Sequence, residues 1–219
     1  MDIARVARSK AEAKASYDKM ARYYNYFGGQ FERRFRQAGL KLLDPRPGED
    51  VLEVGYGTGE ALAEIASAAS PGHVCGIDIS DGMREEAEKC LEAKGVTRAV
   101  SLATGDAASL PYRADSFDAI FMSFTLELFD TPEIPQVLAE CARVLKPSGR
   151  IVVVAMALPD HPKTMSRLYV WSHKHFPNYV DCRPIPAAEM IAEAGFNLEG
   201  EERLSMWGLP VDVVLAKRT

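Results

Sequence analysis

One stretch of the chain constrains its fold more than any other. The apolar segment Val51–Val54 runs directly into three glycines at alternate positions, Gly55, Gly57 and Gly59, and then into an alanine-rich segment. Glycine tolerates positive φ angles and has no Cβ, so a ligand can lie directly on the backbone of such a turn. The free amides at the start of a following helix attract an electronegative group. With Asp78 about twenty residues further on, the pattern predicts a nucleoside-binding strand–turn–helix unit.

The rest of the chain alternates between apolar segments and helical patterns, which is typical of a doubly wound α/β fold with a mostly parallel sheet. Further strands are predicted at 73–77, 100–103, 117–124, 150–157, 198–206 and 211–217. Helices are predicted at 60–69, between Ser80 and Gly95, and at 131–145 and 186–194. We expect one domain with four parts: a helical N-terminal arm or lid (1–44), a cofactor-binding core (45–157), an acceptor-side insertion (158–185) and a C-terminal helix with strands (186–219).

The charge of the chain is unevenly distributed. Residues 1–41 contain ten Lys or Arg against four Asp or Glu, a net charge of +6, whereas the remaining residues carry −11. The overall charge of −5 argues against a general nucleic-acid-binding protein. A basic arm on an acidic body could instead bring the protein to an anionic membrane surface as a peripheral contact.

The longest strongly apolar run, residues 151–158, is far shorter than the roughly 20 residues that a transmembrane helix needs. The N-terminus lacks the apolar stretch of a secretory signal, so we expect a cytoplasmic protein. The cysteines lack the spacing of metal ligands, which predicts reduced thiols and no metal site: Cys75, Cys90, Cys141 and Cys182.

Two cofactors compete for the glycine-rich turn. A dinucleotide fingerprint requires a third glycine where this chain has Glu60, which is a poor neighbour for a pyrophosphate. Glu53 in the first strand suits a ligand that carries an ammonium group. S-adenosyl-L-methionine has an ammonium and a sulfonium and no phosphate. The residues therefore favour S-adenosyl-L-methionine, which leaves as S-adenosyl-L-homocysteine, over the cofactor of an NAD-dependent oxidoreductase.

Two aspartates that follow predicted strands are candidates for holding the nucleoside. Asp78 can accept hydrogen bonds from both ribose hydroxyls, and the alternative role of helix cap is already filled by Ser80 or Asp81. Asp106 can accept a hydrogen bond from the adenine amine, with the Ala107 amide on a ring nitrogen. The alternative for Asp106 is an Asx turn, which is common for an aspartate after glycine.

Four segments together resemble the class I S-adenosylmethionine-dependent methyltransferases: VLEVGYGTG, GIDIS, GDAASLPYRADSFDAIFMSF and ECARVLKPSGRIVVV, which occur in the order of that family. The resemblance extends over residues 15–217 and implies a Rossmann-like sheet of seven strands with the last one antiparallel. Residues 16–25 are similar to the start of the ubiquinone/menaquinone biosynthesis C-methyltransferases. With the contacts that this resemblance implies, the predicted cofactor site comprises Glu53, Gly55, Gly57, Thr58, Gly59, Asp78, Ile79, Asp106, Ala107 and Ser123.

Methyl transfer from a sulfonium is an in-line displacement that mainly requires alignment of donor and acceptor and exclusion of water. A general base matters only where the acceptor has a proton to lose. Glu127, just after the fourth strand, is the candidate for that base or for holding a cationic amine, and it can equally be a solvated turn carboxylate. The histidines of the insertion, His161, His173 and His175, are more typical of a surface than of a catalytic site.

The N-terminal arm is rich in aromatic residues, of which Tyr17, Tyr24 and Phe27 are candidates for lining an apolar acceptor pocket. They can also simply pack onto the body of the domain. Because every cofactor motif lies after residue 50, we expect residues 1–41 to serve the acceptor and not the cofactor. We therefore predict a methyltransferase for a small apolar acceptor, quinol-like or lipid-like. A polar amine or another small metabolite as acceptor, and a non-catalytic nucleoside-binding partner subunit, remain alternatives.

Overall fold

The computed structural model describes residues 5–6, 9–27, 29–159 and 182–219, with side chains described outside residues 22–31. The helices are α1 (Lys10–Phe27), α2 (Gly29–Leu43), α3 (Glu60–Ala69), α4 (Asp81–Lys94), α5 (Ile134–Val144) and α6 (Ala187–Glu193). The strands are β1 (Val51–Val54), β2 (Val74–Asp78), β3 (Val100–Thr104), β4 (Phe117–Ser123), β5 (Leu145–Met156), β6 (Phe196–Met206) and β7 (Leu209–Arg218). Short 3₁₀ turns lie at Thr97–Ala99 and Leu126–Leu128.

Within the described residues, seven strands form one sheet in the order β3-β2-β1-β4-β5-β7-β6. Strands β1 to β5 pair in parallel, and β7 runs antiparallel to both β5 and β6. This arrangement confirms the predicted doubly wound sheet with an antiparallel last strand. The chain builds outward from β1 to β2 and β3 and then continues on the other side of β1 with β4. Such a reversal of strand order opens a crevice at the carboxyl ends of the strands, where ligands bind.

Helices cover both faces of the sheet. On one face, α5 and α6 bury apolar side chains such as Leu138 and Ile191 against the strands. On the other face, α2, α3 and α4 contribute buried side chains such as Phe35, Leu62 and Leu91. All four residues of β1 are buried, as expected for a central strand of a sheet that is covered on both faces. The core therefore holds the carboxyl end of β1 rigidly at the crevice.

Helix α2 belongs to this core rather than to a projecting arm. Phe35 and Leu43 are fully buried, and Gly39 lies directly against the sheet. A Cβ on Gly39 would stand 2.5 Å from Val154 Cγ2 and 2.9 Å from Phe121 Cε2. The division of the chain at residue 44 stays a prediction, and within the predicted arm the apolar side of α2 packs on β4 and β5.

Arg150 on β5 fastens the C-terminal end of α2 to the sheet. Its guanidinium donates to the carbonyl oxygens of Leu43 and Asp44, at 2.5 and 2.9 Å, and pairs with Glu49 at 2.7 Å. The last carbonyls of a helix have no partner within the helix. Arg150 therefore satisfies the end of α2 and fixes its position over the sheet at the same time.

The predicted helices and strands are present within the described residues, and the main change of boundary concerns β5. It starts at Leu145 rather than at Arg150, because the turn predicted at 146–149 forms a bulge opposite β4. Just after β5, Ala157 forms a parallel bridge with Ile185, so the two ends of the predicted insertion meet beside the sheet. The histidines predicted for the insertion, His161, His173 and His175, lie outside the described residues.

We expect Gly39→Ala to destabilise the protein, although alanine favours a helix over glycine by about 1 kcal/mol. The added methyl would press on Phe121 and Val154, which are fully buried, and overpacking of this kind costs about 1–3 kcal/mol. The measurement is the denaturant midpoint of the variant. Gly200→Ala is the control, because a Cβ on Gly200 meets open space. A midpoint for Gly39→Ala at or above the native value would contradict the packing of α2.

Candidate functional site

A cavity of about 1020 Å³, its open mouth included, lies over the carboxyl ends of β1, β2 and β4. Seven of the ten cofactor residues predicted from the sequence line it: Gly55, Gly57, Asp78, Ile79, Asp106, Ala107 and Ser123. The other three, Glu53, Thr58 and Gly59, lie in the same strand and turn but outside the described lining. The structure thus brings the predicted set together, whereas individual contacts with a ligand stay predictions.

The turn after β1 has positive φ angles at its three glycines, as the sequence pattern predicts. Gly55, Gly57 and Gly59 have φ angles of 74°, 51° and 81°, which is the left-handed region that favours glycine. A Cβ on Gly55 would overlap the side chain of Thr125, which lines the cavity from the turn after β4. A Cβ on Gly57 would meet open space. The turn is therefore closely packed on one side and open to a ligand on the other.

Asp78 joins this turn to the second strand. Its Oδ2 accepts a hydrogen bond from the Gly57 amide and its Oδ1 accepts one from the Ser80 amide, both at 2.9 Å. Burial raises the pKa of Asp78 above its ordinary value, against the lowering effect of these backbone hydrogen bonds. A carboxylate can accept about four hydrogen bonds in all, so each oxygen keeps capacity for a ligand hydroxyl. The predicted ribose contact is compatible with this geometry.

Asp106 forms the Asx turn that was predicted as one alternative, and its other predicted role, binding the adenine, stays open. Its Oδ1 accepts from the Ala108 amide at 3.0 Å, which is the Asx turn. Its Oδ2 faces Lys10, with which it forms an ion pair, and the side chain lines the cavity. The turn therefore does not exclude Asp106 from binding a ligand; it holds the carboxylate at the cavity edge.

Glu53 is the residue that the sequence predicts to bind the ammonium group of the ligand. It is only 2% exposed, and its Oε2 has no hydrogen-bond partner in the described part of the chain. Burial raises the pKa of Glu53 well above its ordinary value, and nearby Arg36 offsets this only in part. A buried carboxylate without a full set of partners is costly. Glu53 lies outside the described cavity lining, so its contact with the ammonium of S-adenosyl-L-methionine stays a prediction.

Helix α1 forms one wall of the same cavity. Lys10, Ala13 and Tyr17 line it, and their spacing places them on one face of the helix. The expectation that residues 1–41 serve the acceptor and not the cofactor stays a prediction, although this wall stands beside the residues predicted to hold the cofactor. The side chains of Tyr24 and Phe27, which were also predicted to bind the acceptor, lie outside the described part of the structure.

Asp18 attaches α1 to the start of α4, next to Asp78. One of its oxygens accepts from Ser80 Oγ at 2.6 Å and from the Gly82 amide at 3.0 Å. Burial opposes ionisation of Asp18, but these hydrogen bonds and Lys14 lower its pKa to about 2. A Cβ on Gly82 would stand 2.9 Å from the Asp18 backbone, so glycine at this position permits the close approach. Sequence reasoning missed Asp18, and the small residue in the first turn of α4 is the signal that could have pointed to a neighbouring helix.

Glu127, the predicted base, is fully buried and accepts a hydrogen bond from the Met156 amide at 3.0 Å. It is not part of the described cavity lining. The structure thus gives Glu127 a contact that joins the turn after β4 to the end of β5. A base has to touch the acceptor, so the geometry does not favour the catalytic role of Glu127, which stays a prediction.

Arg183 is a buried residue near the site that the sequence did not single out. It is 1% exposed, and its Nη2 donates to the carbonyl oxygen of Phe129 at 2.6 Å. Burial lowers its pKa, while Asp130 and Glu127 act in the opposite direction. No local pattern could have revealed Arg183, since its partners lie more than fifty residues away in the chain. The contact ties the end of the predicted insertion to the turn after β4.

The turn after β4 and the start of α5 add both apolar and acidic residues to the cavity lining. The apolar ones are Phe124, Leu128 and Phe129. The acidic ones are Asp130, which binds Arg5 at 2.5 Å, and Glu133, which forms an ion pair with Lys10. Lys10 also pairs with Asp106, so its one charge balances only one of the two carboxylates that it contacts.

Comparison with known proteins agrees with this geometry. Residues 51–149 match the methyltransferase domain family. Demethylmenaquinone methyltransferase from Symbiobacterium thermophilum is 33% identical over an alignment of 232 positions, which covers 92% of this chain and 91% of that protein. Nocamycin O-methyltransferase from Saccharothrix syringae is 41% identical over 137 residues, or 62% of this chain, and the match spans only 48% of the relative. The solved structure of the (4+2) cyclase SpnF superposes with a TM-score of 0.77 at 20% identity over 97% of both chains, which shows the fold alone.

We expect Asp78→Asn to weaken binding of S-adenosyl-L-homocysteine by about 10- to 100-fold, because charge-assisted hydrogen bonds contribute about 1.5–3 kcal/mol. Asparagine keeps an oxygen for one of the two backbone amides, so the turn should remain folded. Calorimetry measures the affinity.

Since burial raises the pKa of Asp78, the ionised form is lost at a higher pH than in an exposed aspartate. Native affinity should therefore fall as the pH is lowered toward the raised pKa of Asp78, at a higher pH than an ordinary aspartate would require, and the variant should show a smaller fall.

The control for this measurement is Asp81→Asn, which removes an exposed carboxylate that pairs with Lys14 outside the described lining. Its affinity should stay close to native. Equal affinities for native protein and Asp78→Asn would remove Asp78 from the cofactor site.

Proposed function

The chain belongs to the class I S-adenosylmethionine-dependent methyltransferases, and from this we propose that it methylates an apolar small molecule of the quinol type. The proposal concerns the acceptor, since the family already implies the donor. The observation that carries it is that two kinds of residue line one cavity. The first part of the lining consists of Gly55, Gly57, Asp78 and Asp106, and the second part consists of apolar residues of the turn after β4.

The residues of the first part fit the donor. Asp78 would hold the ribose, Asp106 and the Ala107 amide the adenine, and Glu53 the ammonium. When bound, S-adenosyl-L-methionine supplies an activated methyl group on a sulfonium. The protein then has to place the acceptor atom in line with that methyl and to keep water away, and such positioning contributes about 7–11 kcal/mol to catalysis.

The apolar residues of the turn after β4 favour an apolar acceptor. Of the two carboxylates beside them, Asp130 is held by Arg5, whereas Glu133 shares the single cation of Lys10 with Asp106. An amine that bound Asp130 would have to displace Arg5. A flat apolar molecule can instead pack between Phe124, Leu128 and Phe129 without breaking an ion pair.

The similarity to relatives supports a quinol. Demethylmenaquinone methyltransferase, by its name, acts on a demethylated quinone precursor, and it matches this chain over nearly the full length of both proteins. Nocamycin O-methyltransferase indicates that acceptors of another kind occur among the relatives, although that match spans about half of its length. A non-catalytic partner subunit is less favoured, since the glycine turn and Asp78 keep the geometry that a bound cofactor needs.

Among the described residues, no helix is long and apolar enough to cross a membrane. Peripheral contact with an anionic membrane through the basic N-terminal segment stays a prediction. Three of the basic residues of that segment, Arg5, Lys10 and Lys14, are engaged with carboxylates of the protein itself, which reduces the charge left for a lipid surface.

A prenylated 1,4-naphthoquinol, kept reduced under anaerobic conditions, should accept a methyl group from S-adenosyl-L-methionine in the presence of the protein. The nucleophile is a ring carbon made electron-rich by the two hydroxyls, and the ring proton leaves after the new carbon–carbon bond has formed. Mass spectrometry of the extracted quinone detects the methylated product. The oxidised quinone is the control, because it lacks the electron-rich ring and should give none. Transfer to sarcosine or another simple amine, without transfer to the quinol, would overturn the proposed acceptor class.

Leu128→Asn should raise the KM for the quinol about tenfold or more and leave the affinity for S-adenosyl-L-homocysteine near native. Full burial of a leucine side chain contributes about 1.5–3 kcal/mol, much of which a polar substitute loses. Leu198→Asn is the matched control, because Leu198 is 46% exposed on β6 and does not line the cavity. If both variants leave the KM unchanged, the apolar turn after β4 does not bind the acceptor.

A further inference from the structure

The first turn of α1 lies across the cavity at the side predicted to hold adenine. Lys10 forms ion pairs with Asp106, which follows β3, and with Glu133, which precedes α5. All three side chains line the cavity. Lys10 therefore connects the wall formed by α1 to two other parts of the cavity rim. We call this group of three residues the latch.

The position of Lys10 is fixed by the start of its helix. Ser9 and Glu12 form a capping box: the Glu12 carboxylate accepts from the Ser9 amide at 2.7 Å and from Ser9 Oγ at 2.8 Å. Such a box satisfies backbone donors that the first turn of a helix leaves open. The helix thus begins firmly at Lys10, and the lysine extends from an ordered first turn.

The middle and the start of α1 are held by contacts of different strength. In the middle, the Asp18 carboxylate is bonded to Ser80 Oγ and the Gly82 amide within a close backbone contact. At the start the latch is exposed to solvent, with side-chain exposures of 43% for Lys10, 35% for Asp106 and 26% for Glu133. Exposed ion pairs contribute little and are screened by salt. The first turn of α1 is therefore held less strongly than its middle.

We propose that Lys10 is the latch residue that controls exchange of the nucleoside cofactor: bound cofactor leaves when the contacts of Lys10 with Asp106 and Glu133 break. The proposal rests on the proposed function, since it takes the cavity to be the cofactor site. Asp106 can serve the latch and the adenine together, because a carboxylate has about four acceptor positions and the Asx turn and Lys10 use two of them. Lys10 thus acts as a positioning residue and need not contact the reacting atoms.

The test compares dissociation of S-adenosyl-L-homocysteine from the native protein, Lys10→Met and Lys19→Met. Lys19 is an exposed lysine on the same helix, so its variant makes the same change of charge without touching the latch. The complex with labelled ligand is diluted into excess unlabelled ligand, and the loss of label is followed with time. We expect Lys10→Met to raise the dissociation rate constant about fivefold, the largest effect typical of an exposed ion pair, and Lys19→Met to leave it near native.

Two further arms distinguish a latch from a structural role. Lys10→Arg keeps the cation and should restore slow dissociation, and Glu133→Gln, which leaves α1 unchanged, should give an intermediate rate. Added salt should speed dissociation from the native protein and have a smaller effect on Lys10→Met.

Equal rates for Lys10→Met and Lys19→Met would overturn the latch while leaving the cofactor site intact. Absence of ligand binding to the native protein would instead overturn the function on which the latch depends.

Discussion

The site depends on one carboxylate that binds two separate pieces of backbone. Asp78, at the end of β2, accepts hydrogen bonds from the Gly57 amide of the turn after β1 and from the Ser80 amide at the start of α4. Buried charge is costly unless it is well hydrogen-bonded, so the carboxylate and the turn stabilise each other's position. Ser80 is also bound by Asp18 of α1. The strand, the glycine turn and two helices are therefore held in register around the point where the ribose is expected.

Part of the uneven charge of the chain is engaged inside the molecule. Arg5, Lys10 and Lys14, three of the ten basic residues among residues 1–41, bind carboxylates of the acidic body. Arg5 and Lys10 do so with residues that line the cavity, and this attraction docks the described N-terminal residues beside it. Because Lys10 faces both Asp106 and Glu133, one negative charge of this pair stays unbalanced.

Local pattern in the sequence was sufficient for the sheet and for most of the residues that line one cavity. Alternating apolar segments located the strands, and the glycines with Asp78 and Asp106 marked the carboxyl ends of the strands at which the cavity lies. The packing of α2 could not be predicted, because an amphipathic pattern shows that one side is buried, but not whether it is buried against a sheet or a pocket. The contacts of Lys10 and Asp18 join residues 96 and 62 positions apart, so no local spacing could reveal them. Glu127 was located correctly after β4, but its full burial depends on how that turn packs against β5.

The bridge between Ala157 and Ile185 brings together the two ends of the predicted insertion between β5 and α6. Because these ends are already held together beside the sheet, a change in the length of the insertion adds only about 0.6 kcal/mol for each doubling. Arg183, close to the second end, donates a hydrogen bond to the carbonyl oxygen of Phe129, which lines the cavity. Changes of length in the insertion therefore leave in place the strands that carry the glycine turn and Asp78, while they act on a part of the chain that contacts the cavity wall.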